Sequence, residues 1–86
     1  MKHLIAIRDD IGNNCYEPSL YNSLADFKRS VKALPKDNYL TMFPSDYSFS
    51  VIANYIHENT ENPLEVNAKT DWCKISTIIG EENEKW

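Results

Sequence analysis

Glycine, cysteine and long apolar runs are all scarce in this 86-residue chain, and each scarcity removes a class of protein. With two glycines, no Gly/Ser-rich or low-complexity stretch, 42% hydrophobic and 12% aromatic residues, the composition is that of a packed globular chain. No apolar run approaches the length needed to span a bilayer. The N-terminus carries one Lys and a short apolar run before Arg8, which is not the long h-region and cleavage site of a signal peptide. Cys15 and Cys73 permit at most one bridge, and neither forms a Cys-x-x-Cys pair or stands near a His at ligand spacing, which argues against structural zinc. Two free thiols in a reducing, cytoplasmic setting are expected. The chain is long enough to close one core and too short for a cleft between domains, so large-cavity enzymes are disfavoured and a monomer or small oligomer is expected.

The net charge of −4 opposes indiscriminate attraction to nucleic acid or to an anionic membrane. Residues 24–36 reverse that sign locally: Lys28, Arg29, Lys32 and Lys36 stand against Asp26 alone, giving +3. The remaining five basic and twelve acidic residues carry −7, so a basic patch on an acidic body is expected.

The stretch around which the fold is organised is Phe43 to Ile56, where large apolar and small polar residues alternate for longest. Period-two alternation places Tyr47, Phe49, Val51, Ala53 and Tyr55 on one face of a strand, and Ser48, Ser50 and Asn54 on the other. Pro44 belongs at the strand entrance, having no N–H to give to a ladder. Lys2 to Arg8 reads as a first strand with a continuous apolar run, central and covered on both faces, ending at the turn formers Asp9 to Asn14. Cys15 to Pro18 is expected to return as a short edge strand.

Ser23 opens the clearest helix, a hydroxyl cap with an acid three residues on, and Leu24, Phe27, Val31 and Leu34 form its apolar stripe. Pro35 ends it. Residues 37–42 form a connection with a helical turn that plugs one end of the core. Leu64 to Ala68 resumes the period of two, as the second strand of a long-looped hairpin with the main strand. Residues 70–80 are read as a short helix opened by Thr70 and presenting Trp72, Ile75 and Ile79, although their β-branched content also fits a strand. The expected whole is one α+β domain over residues 1–80, a small mainly antiparallel sheet with one helix packed on one face, and an acidic C-terminal tail over 81–86.

Asp9 and Asp10 at a strand end could hold a divalent cation or simply form an Asx-rich turn; adjacent carboxylates on a strand diverge, which favours the turn. His3 and His57 have no nucleophile partner implied, so neither a catalytic site nor a cofactor is expected. Lys28, Arg29, Lys32 and Lys36 could track phosphates, with Tyr16, Tyr21, Tyr39 and Trp72 offering faces to unpaired bases; the plainer reading is a solvated helix face and core aromatics. Trp86, at the end of the acidic tail, loosely resembles the partner-recruiting tips of single-strand binding proteins.

Three groups of residues carry a family resemblance: the Lys-led strand ending in Arg8-Asp9, Asp26-Phe27-Lys28 followed by Val31, and Phe43-Pro44-Ser45-Asp46-Tyr47-Ser48-Phe49 leading into Ile52-Ala53-Asn54-Tyr55. Together they resemble the small non-structural DNA-binding protein of gokushoviruses, single-stranded-DNA microviruses (Microviridae) of bacteria, over about the first two-thirds of the chain. Ala53 departs from that pattern, where Gly is usual, as does Asn59-Thr60, where Thr-Gly is common. The resemblance implies a bacteriophage protein that binds single-stranded DNA, takes part in viral single-stranded genome synthesis in the host bacterial cytoplasm, and catalyses nothing. It assigns no DNA-contacting residues. The alternative is an acidic interaction module that binds a viral or host replication protein. Neither reading involves a membrane.

Overall fold

The computed structural model describes residues 2–83. In chain order it contains β1 (Lys2–Asp9), β2 (Asn14–Cys15), β3 (Ser19–Tyr21), α1 (Leu24–Lys32), α2 (Tyr39–Met42), β4 (Tyr47–Tyr55), β5 (Leu64–Val66), β6 (Cys73–Lys74) and α3 (Ser76–Asn83). A 3-10 turn over Pro44–Asp46 leads into β4, with Pro44 at a position that needs no N–H. The fold is α+β, and its sheet is antiparallel throughout.

Two long strands, β1 and β4, form the centre of the sheet, and each outer edge is built from two short pieces. After the turn the chain runs back along β1 twice, with Arg8 and Asp9 opposite Cys15 and Asn14, then His3 to Ile5 opposite Tyr21 to Ser19. Pro18 falls in the break between them. On the far side, β5 pairs with Ala53 to Tyr55 and β6 with Ser48 and Phe49. Asn67 clips the gap between these pieces: its backbone N–H donates to the Ile52 carbonyl at 2.9 Å and its side-chain amide donates to the Val51 carbonyl at 2.6 Å.

The alternation expected along β4 breaks at this point. Ile5 pairs with Val51 but Leu4 pairs with Ala53, so Ile52 is an extra residue and β4 bulges. Because two residues then oppose one, the side-chain pattern shifts by one position. Tyr47, Phe49 and Val51 keep the helix-covered face, with Ile5 and Ile7 of β1. Ala53 and Tyr55 move to the opposite face, with Ser48, Ser50, Leu4 and Ala6, and Asn54 joins His3 on the helix side through a 2.6 Å hydrogen bond.

Helix α1 begins as its cap requires, with the Asp26 N–H donating to Ser23 Oγ at 3.1 Å. It closes at Lys32 with Ala33 as C-cap, directly ahead of Leu34 and Pro35, where the proline was expected to stop it. Phe27 and Val31 are buried while Leu24 is exposed at the helix start, so the stripe buries only its middle. Two further helices join this cover. Leu40 of α2 and Ile78 of α3 enter the same core as Phe27, Val31, Ile5, Phe49 and Ile75. The helix expected from Thr70 starts instead at Ser76, because Cys73 and Lys74 pair with β4 first and commit the preceding residues to extended backbone. Its backbone continues through Asn83; residues 84–86 of the expected acidic tail, including Trp86, lie outside the described residues.

Phe27 is the hub of the core. Its ring centre is 5.1 Å from Tyr21, edge-on at 82°, and 5.1 Å from Phe49. At the β1–β2 turn, Asn13 takes the left-handed conformation (φ 57°). A Cβ on Gly12 beside it would lie 2.7 Å from the Asp9 carboxylate, which would have to shift to admit one.

Candidate nucleic-acid interface

The expected cationic residues are placed by α1 and the segment after it. Positions 28, 29 and 32 fall on adjacent parts of the helix circumference, away from the Phe27–Val31 stripe. Arg29 and Lys32 are exposed, and Lys28 is half-buried at the flank. Arg29 stands 3.6 Å from Asp26, a solvent-exposed pair worth little energy, with the guanidinium still open to water. Lys36 lies beyond the helix, yet the structure brings it back beside Lys32. Both line an open groove of about 470 Å³ with Val31, Leu34, Thr41 and Ile79. Thr41 fixes that return, its hydroxyl donating to the Pro35 carbonyl at 2.7 Å and the Asn38 carbonyl at 2.8 Å.

Three residues after Lys36, Asn38-capped α2 begins at Tyr39, so chain connectivity keeps Lys36 and Tyr39 within about 11 Å. The Tyr39 ring centre is 5.8 Å from Tyr16 and 5.0 Å from Tyr47. Tyr39 and Tyr16 remain 41% and 42% exposed, so this pair has accessible ring surface. Burial, with Tyr16 adding to it, pushes the Tyr39 hydroxyl above its ordinary 10.0, and burial does the same at Tyr47. The pairing of Tyr16 with Tyr39 has no local sequence signal, since 23 positions separate them and only the fold makes them neighbours.

Tyr21 and Trp72 are placed elsewhere. Tyr21 packs on Phe27 in the core. Trp72 reaches the helix-free face of the sheet, with the Arg8 guanidinium 4.3 Å from its ring centre. Arg8 also donates to Asp10 Oδ1 at 2.8 Å, and Asp10 Oδ2 accepts from Lys74 Nζ at 2.7 Å and from the buried Ser48 hydroxyl at 2.5 Å. The Lys74 hydrogen bond above all, then that of Ser48, holds the Asp10 carboxyl well below the usual carboxylate range.

Asp9 and Asp10 diverge. Asp9 Oδ1 accepts from the N–H groups of Ile11 and Gly12, both at 3.0 Å, and so forms the Asx turn. Among the described residues no group of three His, Cys, Asp or Glu is arranged to hold a metal ion. Cys15 and Cys73 are free and exposed. No helix among the described residues is long and apolar enough to cross a membrane. Comparison with protein-family models, with curated proteins and with solved structures finds no match.

Proposed function

We propose that the protein binds single-stranded DNA without catalysing a reaction, through the outer side of α1 and the segment that follows it. One observation carries this reading: the exposed cations Arg29, Lys32 and Lys36 lead along the chain to the exposed Tyr16–Tyr39 ring pair. Single strands are held by a track of positive charge for phosphates joined to aromatic faces for unstacked bases, and both occur here in sequence. Lys28 extends the track at its flank. The resemblance to gokushovirus DNA-binding proteins fits the same reading, and with it a role in viral single-stranded genome synthesis in the host bacterial cytoplasm.

The test is a titration of fluorescent single-stranded and duplex oligonucleotides at several salt concentrations. Binding should favour the single strand and be lost when Lys28, Arg29 and Lys32 are replaced by Glu, with circular dichroism unchanged. Retained affinity in that variant removes this face from consideration. A second reading, an acidic module that binds a viral or host replication protein, is favoured by the exposed aliphatic residues Leu20, Leu64 and Val66. Absence of DNA binding by the parent protein at low salt decides for it.

A further inference from the structure

Helix α2, with Phe43 as its C-cap, lies between the cationic groove and the Tyr16–Tyr39 pair. At about 100° per residue, the order round this turn is Thr41, Met42, Tyr39, Phe43 and then Leu40. Burial follows that order. Thr41 is half-buried on the groove, Met42 is 54% and Phe43 51% exposed, and Leu40 is in the core. Phe43 keeps its place on the turn because its N–H donates to the Tyr39 carbonyl at 3.0 Å. Thr41 and Tyr39 therefore lie on nearly opposite sides of α2, and the route between them that avoids the core runs over Met42. Single exposed apolar residues are ordinary on a protein surface, but Met42, Tyr39 and Phe43 adjoin and form a patch.

We infer that the single strand crosses this face of α2 from its phosphate contacts to its base contacts, with Met42 beneath the crossing and Phe43 as a further stacking ring beside Tyr39. The inference rests on the single-strand reading above and adds to it two binding residues and a route. Lys32 and Lys36 hold phosphate on the groove side, where Thr41 forms part of the wall. A strand leaving them for Tyr39 passes the outer side of α2, a helix about 10 to 12 Å across with its side chains. Met42 is the residue it meets there, and a flexible, polarizable thioether packs on an aromatic base without demanding one orientation. Residues 38–43 include no acid, so that segment places no carboxylate against the strand.

Tyr39 and Phe43 stand four positions apart on one helical turn, which sets their Cβ atoms about 5 to 6 Å apart. Two rings so placed serve the bases of neighbouring nucleotides, and Tyr16 supports the Tyr39 ring at 5.8 Å. Every base has a π-face, so these rings select an unpaired strand over a duplex without reading its sequence. The ligand defined by this arrangement is an unstructured single strand, bound by charge on one side of α2 and by stacking on the other.

The test uses the full chain and an oligothymidylate of about 12 nucleotides, within the site sizes of single-strand binders. Phe43→Ser, at an exposed position, should weaken binding by about 5- to 150-fold, the equivalent of one stacked base, with the salt dependence unchanged because no cation is lost. Met42→Glu puts a carboxylate on the crossing and should weaken binding too, whereas Met42→Leu should keep most of it. Val66→Ser is the control: Val66 is exposed but pairs with Ala53, about 20 Å along β4 from Tyr47, and this variant should bind as the parent does. Position is read separately on the parent protein, where the same oligonucleotide carrying 5-iododeoxyuridine should cross-link on irradiation to peptides containing residues 39–43. A parent that binds no single strand overturns the reading of the whole surface and this inference with it. A parent that binds while folded Phe43→Ser and Met42→Glu variants keep full affinity, or whose cross-links map outside residues 39–43, overturns this inference alone and leaves the face to a protein partner.

Discussion

The Arg8 guanidinium and the Trp72 ring meet 4.3 Å apart although their strands are not neighbours. Arg8 is on β1, Trp72 precedes β6, and β4 runs between them, so the two side chains span about 10 Å by passing above it. The residues of β4 beneath that bridge are Ser48 and Ser50, both only 3% exposed. Their small size is what lets the bridge close. Replacing Ser50 by Leu should therefore cost about 1 to 3 kcal/mol as an overpacked site, measured by urea unfolding. A Ser50→Leu variant as stable as the parent would mean that the bridge does not lie over β4.

Asp10 joins that bridge to the rest of the sheet and makes stability depend on pH. Its carboxyl is held below its ordinary value of 3.8, so the unfolded chain takes up the proton first as pH falls. The stabilisation is complete above the unfolded value and is lost as pH drops below about 4 toward the depressed folded value. Melting temperature should thus fall from pH 5 to pH 2, and Asp10→Asn should flatten that fall while lowering stability at pH 7. Parallel acid profiles for parent and variant would show that Asp10 is not the group responsible.

Phe27 should be the most costly single truncation in α1, because it is 1% exposed and its ring packs against both Tyr21 and Phe49. Phe27→Ala is expected to remove about 3 to 5 kcal/mol. Leu24→Ala, on the same stripe but exposed, should cost well under half as much. Equal losses at the two positions would contradict the way α1 sits on the sheet.

These examples also show which parts of the fold were legible in the sequence. Ser23 as cap and Phe27 against Phe49 were readable because local chemistry and apolar spacing fix them. The two central strands were readable for the same reason. The bulge at Ile52 was not, since Leu4 and Ile5 on another strand define it, and with it went the true face of Ala53 and Tyr55. Ser19–Tyr21 is too short to show a period, and α3 starts later than the helical spacing of Trp72, Ile75 and Ile79 suggests because pairing of Cys73 and Lys74 with β4 overrides it. In the candidate site, the cationic residues were visible as a local charge excess, whereas the closeness of Lys32 to Lys36 and of Tyr16 to Tyr39 depends on how the chain returns after Pro35.

Gly80 offers a gain in stability. It lies inside α3, and a Cβ added there meets nothing within 4 Å. Gly80→Ala should raise stability by about 0.5 to 1 kcal/mol, since alanine loses less backbone entropy in a helix. Gly12→Ala should do the opposite, because its Cβ would press on an Asp9 carboxylate already fixed by two N–H groups. A thermal melt of each variant checks the contrast in sign.

Charge and stacking in the proposed DNA interface should separate experimentally. Each phosphate neutralised on a single strand contributes about −0.7 to the slope of log affinity against log salt, so Lys28, Arg29, Lys32 and Lys36 together give about −3. Replacing Lys32 and Lys36 by Gln should bring the slope to about −1.5 by removing two of the four contacts. Tyr39→Leu keeps the bulk that packs on Tyr47 and removes the aromatic face, so affinity should fall by about 5- to 150-fold, the equivalent of one stacked base at 1 to 3 kcal/mol. The slope should stay near −3 in that variant, because no cation has been touched. A Tyr39→Leu protein with full affinity would confine the interface to the helix, and an unchanged slope in the Lys32 and Lys36 variant would remove the groove side of the stripe from the contact.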